Sequence, residues 1–308
     1  MRSSPRIAPT GSKAMETTDR SAQSVAELLA RAETMLAAAG VDTPKGDAQW
    51  IAAHVLGVNR TSLLAHPERV VELETAEHLE SLVARRAERE PLGYVLGTVN
   101  FRGLVMEVGP GVFCPRPETE VTAARAIARA RERGPRPCVV DVCAGSGPIA
   151  LSVAAEVPNA RVFATEISPA ARGWALRNLA RTGLRVTLLP GDLFDPLHPA
   201  LGGAVDVIVS NPPYIPQGAI ESLPDEVRRY EPREALTGGA DGLDVVMRLI
   251  GDAPRWLTHG GWLVMEVGEE QAERIAKVLA AAGYDSVEIG PDLAGRERVV
   301  EGRWVGNP

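Results

Sequence analysis

The chain has 308 residues, 45% of them hydrophobic and 24% charged, with a formal net charge of -7 and a pI near 5.4. That balance suits a globular protein of one large or two modest domains and argues against general electrostatic steering onto nucleic acid. The three cysteines (Cys114, Cys138, Cys143) form no CxxC pair, the five histidines no HExxH, and no apolar run is long enough for a membrane span, so neither a metal centre nor membrane insertion is expected.

Residues 1–24 carry Arg2, Arg6, Lys13 and Arg20 without a hydrophobic signal core. They read as a disordered tail, or else a short organellar address, and the protein as a cytoplasmic one whose thiols stay reduced. From Val25 the spacing turns helical: Val25, Leu28, Leu29, Ala32, Met35 and Leu36 share one face up to Gly40. Further helices are expected over 47–56, 61–65 and 75–89, making a small helical domain over 25–90. Pro91 ends it, and 94–108 reads as a β-hairpin turning near Arg102-Gly103, within a linker over 91–115. Pro115-Arg116-Pro117-Glu118-Thr119-Glu120 then suits the start of a helix over 121–133, with proline and acids in the first turn.

Over 116–308 the pattern becomes alternating α/β. Strands are expected over 138–142, 161–165, 186–189, 205–209, 262–267, 286–289 and 298–303, with helices over 149–156, 169–181, 243–257 and 269–282. Strands alternating with helices imply a doubly wound, mostly parallel seven-stranded sheet. The last two strands lie too close for a helical crossover and are expected to pair antiparallel.

Ligands of such sheets bind beyond the carboxyl ends of the strands. The first strand ends in Asp141-Val142-Cys143-Ala144-Gly145-Ser146-Gly147, where Gly145 and Gly147 let backbone approach a ligand and leave helix amides facing it. By itself such a turn can also be purely structural. The second strand ends in Glu166, placed to accept two ribose hydroxyls or to serve as a helix-start acid. The third ends in Gly191-Asp192-Leu193-Phe194. Asp192 either accepts from an adenine amino group, with Leu193 beside the ring, or caps a turn. The fourth ends in Ser210-Asn211-Pro212-Pro213-Tyr214. Two prolines forbid further pairing and hold an amide and an aromatic ring at the strand end. Uncharged oxygens there suit a planar –NH2 group that must be held still while it is alkylated.

With these residues the chain resembles the class I S-adenosylmethionine-dependent methyltransferases, with their Rossmann-like fold. More narrowly it resembles the release-factor glutamine N5-methyltransferases (the PrmC/HemK family). Asn-Pro-Pro-Tyr is shared with adenine-N6 methyltransferases, but further stretches narrow the likeness. These are Pro91 to Gly97, Phe101-Arg102-Gly103-Leu104, Pro115 to Glu120, Tyr230 to Leu236, Asp241-Gly242-Leu243 and Asp292 to Arg298. The resemblance implies the glutamine of the Gly-Gly-Gln motif of class 1 peptide chain release factors as substrate. It implies cofactor contacts at Cys143, Ala144, Gly145, Ser146, Gly147, Glu166, Leu193 and Asn211, and substrate contacts at Asn211, Pro212, Pro213 and Tyr214. Many members have Gly-Thr in place of Cys143-Ala144, so a positive φ at Cys143 would be costly. Some have tryptophan where Leu193 stands, which loses stacking.

A carboxamide nitrogen is a poor nucleophile, so the protein must supply position and electrostatics. The expected arrangement has the Asn211 side-chain oxygen and the Pro212 carbonyl accept the two amide hydrogens while Tyr214 packs on the glutamine. Glu231 and Arg233 either bind substrate backbone or form a surface ion pair, the latter being the simpler reading. The competing readings are a nucleic-acid adenine methyltransferase, which would want a basic face, a glutamine methyltransferase of a ribosomal protein, and a binding module without cofactor affinity. A monomer without nucleic-acid or membrane partners is expected.

Overall fold

A computed structural model describes residues 23–306. The chain divides into two compact units, up to Ala84 and from Arg85 onward. The division falls inside a helix, six residues before the boundary expected at Pro91.

In the first unit, β1 (Gln23–Ser24) pairs antiparallel with β2 (Val70–Val71). Between them run α1 (Val25–Ala38), α2 (Pro44–Val55) and α3 (Arg60–Ala65), and α4 (Leu73–Ala87) follows. Gln23 and Ser24 were expected in the disordered tail but are ordered, because Ser24 closes a capping box with Glu27. Residues 1–22 of that expected tail lie outside the described residues. Val25, Leu28, Ala32 and Leu36 of α1 are buried, as are Ile51, Leu63, Leu79 and Val83. Of the face expected on α1, these four positions turn inward, whereas Leu29 is half-buried and Met35 is exposed.

After the last turn of α4, the second unit continues with α5 (Leu92–Leu96), a short helix that takes up the start of the hairpin expected over 94–108. Pro91 pre-sets its start and Gly97, at φ 71°, ends it. The hairpin itself is confined to β3 (Thr98–Phe101) and β4 (Leu104–Glu107). It is no free linker: Phe101 and Met106 are buried in the same core cluster as Ala123, Ile127, Val139 and Val207.

The sheet comprises β5 (Cys138–Val142), β6 (Arg161–Glu166), β7 (Val186–Pro190), β8 (Val205–Ser210), β9 (Leu257–Glu266), β10 (Tyr284–Pro291) and β11 (Glu297–Trp304). Its order is β10-β11-β9-β8-β5-β6-β7. The five strands from β9 to β7 are parallel, and β11 runs antiparallel between β9 and β10. Helices α6 (Thr119–Glu132), α7 (Pro148–Glu156), α8 (Pro169–Thr182), α10 (Asp244–Asp252) and α11 (Ala272–Ala281) lie between strands in the chain, and α9 (Asp225–Tyr230) follows β8. The expected helix over 243–257 stops early. Pro254 lacks an N–H donor, the chain tightens into a 3-10 turn, and Leu257 already begins β9. Val139, Val140, Val207, Ile208 and Val209 are 0% exposed, so both faces of the central strands are covered. No described helix is long and apolar enough to cross a membrane.

Candidate active site

The strand order reverses between β5 and β8, and a cavity of about 340 Å³ opens at the carboxyl ends of these strands. Four strand ends supply its wall: Cys143, Ala144, Gly145 and Ser146 after β5, Glu166 at the end of β6, Asp192 and Leu193 after β7, and Asn211 and Pro213 after β8. Thus nine of the predicted positions converge on one space. Gly147, Pro212 and Tyr214 do not line it.

The β5 turn is tightly wound. Gly145 and Gly147 have φ of 58° and 88°, and the Gly147 N–H donates to the Ala144 carbonyl at 2.8 Å. Cys143 sits at φ 61°, the costly conformation that a glycine would have avoided, and Leu193 at φ 42°. Leu193 nevertheless packs into the core cluster beside Val142 and Ile208. Burial, with Glu166 nearby, pushes the Cys143 thiol up, so it stays neutral. Behind the turn, fully buried Asp141 accepts from the Ala150 N–H at 2.9 Å. Burial, with a smaller push from Glu166, raises its carboxyl to about 8.

Glu166 takes the Gly145 N–H at 2.8 Å on one oxygen and the Ser168 N–H at 2.7 Å on the other. Each carboxylate oxygen has two lone-pair sites, so capacity for two ligand hydroxyls remains. Ser146 Oγ and Thr165 Oγ1, on lining residues, are buried with no protein partner. Asp192 is already engaged: Arg248 Nη2 donates to it at 2.6 Å across the rim, and its carbonyl closes a turn with the Asp195 N–H. The turn is thus closed by the Asp192 backbone carbonyl, not by side-chain capping, and the carboxylate is engaged at the rim.

At the β8 end, Ser210 Oγ ties the strand to the Val142 carbonyl at 2.6 Å. Asn211 then donates through Nδ2 to Thr119 Oγ1 at 3.1 Å, which leaves its oxygen turned from that bond. Among the described residues, no protein group donates to that oxygen or to the Pro212 carbonyl. Tyr214 is half-buried, its phenol 3.2 Å from Glu266 Oε1 and 3.0 Å from Arg298 Nη1. Burial and the Glu266 charge push that phenol above its usual range. Gln271 Nε2 holds the Tyr214 carbonyl at 2.9 Å. A glycine-rich loop lies against this turn: a Cβ on Gly238 would come within 2.6 Å of the Pro213 carbonyl, so only glycine fits.

The Pro115-to-Glu120 stretch does more than start α6, which begins at Thr119. Arg116 pairs with Glu231 at 2.6 Å, Glu118 with Arg296 at 3.0 Å, Thr119 with Asn211, and Glu120 accepts the Arg102 N–H at 3.0 Å. Glu231 is therefore not the partner of Arg233 in a surface pair. Its side chain is fully buried against Arg116, while exposed Arg233 faces Glu221 at 3.8 Å. Sequence reading missed Thr119, Arg116 and Glu266. Their signal was weak: each fits an ordinary helix start or strand end.

Residues 27–97 match the PrmC N-terminal domain and residues 106–223 the methyltransferase small domain. The release factor glutamine methyltransferase of Geobacter sulfurreducens is 42% identical over 87% of this chain and 92% of its own length. That of Mycolicibacterium smegmatis is 44% identical over 87% and 94%. The solved T. thermophilus 16S rRNA N2 G1207 methyltransferase shares the fold, with a TM-score of 0.50 at 20% identity over 67% of this chain and 49% of that one. Identity of this degree over nearly the whole of both sequences, joined to the strand-end constellation above, means that the chain belongs to the release factor glutamine methyltransferase family.

Proposed function

We propose that this chain methylates the side-chain amide nitrogen of the glutamine in the Gly-Gly-Gln motif of class 1 peptide chain release factors, with S-adenosylmethionine as methyl donor. One observation carries the reading: an uncharged amide oxygen, its orientation set from within the protein, opens beside a cavity built from four strand ends.

The cavity residues fit the donor. The turn from Cys143 to Ser146 would hold the donor along its backbone, Glu166 would accept its ribose hydroxyls, and Asp192 with Leu193 would hold its adenine; all of these line the cavity. When bound, S-adenosylmethionine supplies a methyl carbon activated by the adjacent sulfonium. The chain's own residues do the rest. Asn211 Oδ1 and the Pro212 carbonyl accept the two hydrogens of the glutamine amide, orienting its nitrogen and stabilising the positive charge that develops on it. Tyr214, anchored at its phenol and its carbonyl, stiffens the turn that carries both acceptors and gives the glutamine chain an apolar face. No general base is needed if the proton leaves to water after transfer.

The same reading makes the protein a cytoplasmic monomer that meets its substrate without nucleic acid, in keeping with the net charge of -7. The test is mass spectrometry of a release factor after incubation with the chain and S-adenosylmethionine. One added methyl on the Gly-Gly-Gln glutamine is expected; an unmodified peptide, or methyl on DNA instead, refutes it.

A further inference from the structure

Four charged side chains line the cavity: Glu166, Asp192, Glu234 and Arg248. Three are answered from within the protein. Glu166 takes two backbone N–H groups, and Asp192 and Arg248 take each other. Among the described residues, no hydrogen bond or ion pair reaches the Glu234 carboxylate, and neighbouring Arg233 faces Glu221 instead, at 3.8 Å.

The turn that carries Glu234 is fixed. Arg233–Ala235 form a 3-10 turn, closed by the Ala235 N–H on the Pro232 carbonyl at 3.0 Å. Leu236, 2% exposed, pins its exit, and the Leu236 carbonyl accepts the Ile215 N–H at 2.9 Å. The Ile215 carbonyl accepts the Gly238 N–H at 3.0 Å. Ile215 follows Tyr214, so Glu234 stands on backbone laced to the turn that carries Asn211 and Pro212.

An unanswered carboxylate on the rim of a binding cavity can only accept, so its ligand must bring donors. The residues before the glutamine of a Gly-Gly-Gln motif can bring them only from the main chain, because glycine has no side chain to read. With the glutamine amide in the clamp, both glycines lie within about 7 Å of chain from the glutamine Cα. Two glycines in succession reach paired right- and left-handed conformations without steric cost. Their N–H groups then converge into a concavity that holds an anionic oxygen.

We propose that Glu234 is a specificity-determining residue for the substrate: its carboxylate accepts the main-chain N–H groups of the Gly-Gly pair that leads into the glutamine. The proposal rests on the methyl-transfer reading. It makes the glycines a requirement of recognition, since a side chain there disfavours the left-handed conformation that presents both N–H groups.

Glu234 is exposed, so Glu234→Ala and Glu234→Gln should both fold. With a release factor as the varied substrate, full-length Glu234→Ala is expected to raise KM on the order of tenfold and to leave kcat within about twofold. Glu234→Gln, which keeps an acceptor without the charge, should fall between. The calorimetric Kd for S-adenosylmethionine should match wild type in both. A release factor whose second motif glycine is replaced by alanine separates this contact from packing. It should be a poorer substrate for wild type, and that penalty should shrink in Glu234→Ala, where the partner of its N–H groups is gone. The proposal is overturned by a wild-type KM in Glu234→Ala, or by an alanine penalty as large in the variant as in wild type. It is also overturned by a Kd for S-adenosylmethionine that weakens along with KM, which would put the carboxylate on the donor's ammonium. A wild-type chain that methylates no release factor overturns the function as well; an active wild type with those results overturns this proposal alone.

Discussion

Asn211→Ala separates stability from catalysis. The side chain is half-buried and makes one bond to the protein, Nδ2 to Thr119 Oγ1 at 3.1 Å. Losing one neutral hydrogen bond costs about 1 kcal/mol of folding stability, so the variant should fold. The barrier should suffer more. Removing one preorganised group that answers charge in the transition state costs about 3 kcal/mol by analogy with oxyanion-hole deletions, which is a factor of roughly a hundred in rate. Asn211 also lines the cavity, so cofactor affinity must be measured separately, by calorimetry. Transfer of labelled methyl from S-adenosylmethionine to a release factor, at saturating concentrations of both, then isolates kcat. A folded Asn211→Ala chain methylating within about threefold of wild type, far short of that hundredfold, would refute the acceptor role.

Asp141 gives a pH signature. Its carboxyl is raised to about 8 in the fold against about 3.9 unfolded, so between these pH values the unfolded chain releases a proton that the folded chain keeps. The unfolded state binds fewer protons there, and stability falls as pH rises, by up to about 1.4 kcal/mol per pH unit. Urea melts from pH 5 to 8 should show this slope in wild type and a flatter one in Asp141→Asn; equal slopes would refute it. Cys143, at φ 61°, reverses a usual ranking. Cys143→Gly should be more stable than Cys143→Ala by about 1 kcal/mol, because alanine keeps the strain that glycine lacks. Denaturant midpoints decide this, and an alanine variant equal or superior would count against the strain. Glu231→Ala leaves Arg116 without its buried partner and should cost about 3 kcal/mol by the same melts; a loss below about 1 kcal/mol would mean the pair is not needed to hold the segment.

Much of this molecule is legible in one dimension. Unbroken runs such as Val139-Val140 and Val207-Ile208-Val209 declare strands buried on both faces, and Pro212-Pro213 declares where the fourth must stop. The glycines after β5 and the acid ending β6 mark the ligand side of the sheet. These are short-range facts: periodicity, a missing N–H, a conformation that favours glycine. They suffice for the order of elements and for most of the cavity wall.

The tertiary structure alone decided how those groups are turned. Asn211 is oriented by Thr119, 92 residues away, and Tyr214 by Glu266, 52 residues away. Glu231 found Arg116, 115 residues distant, and not its neighbour Arg233. Sheet order brings such residues together, and no local pattern encodes that order. The facing of an amide depends further on which neighbours can only give a hydrogen and which can only take one, and that becomes readable when all of them stand within bonding distance.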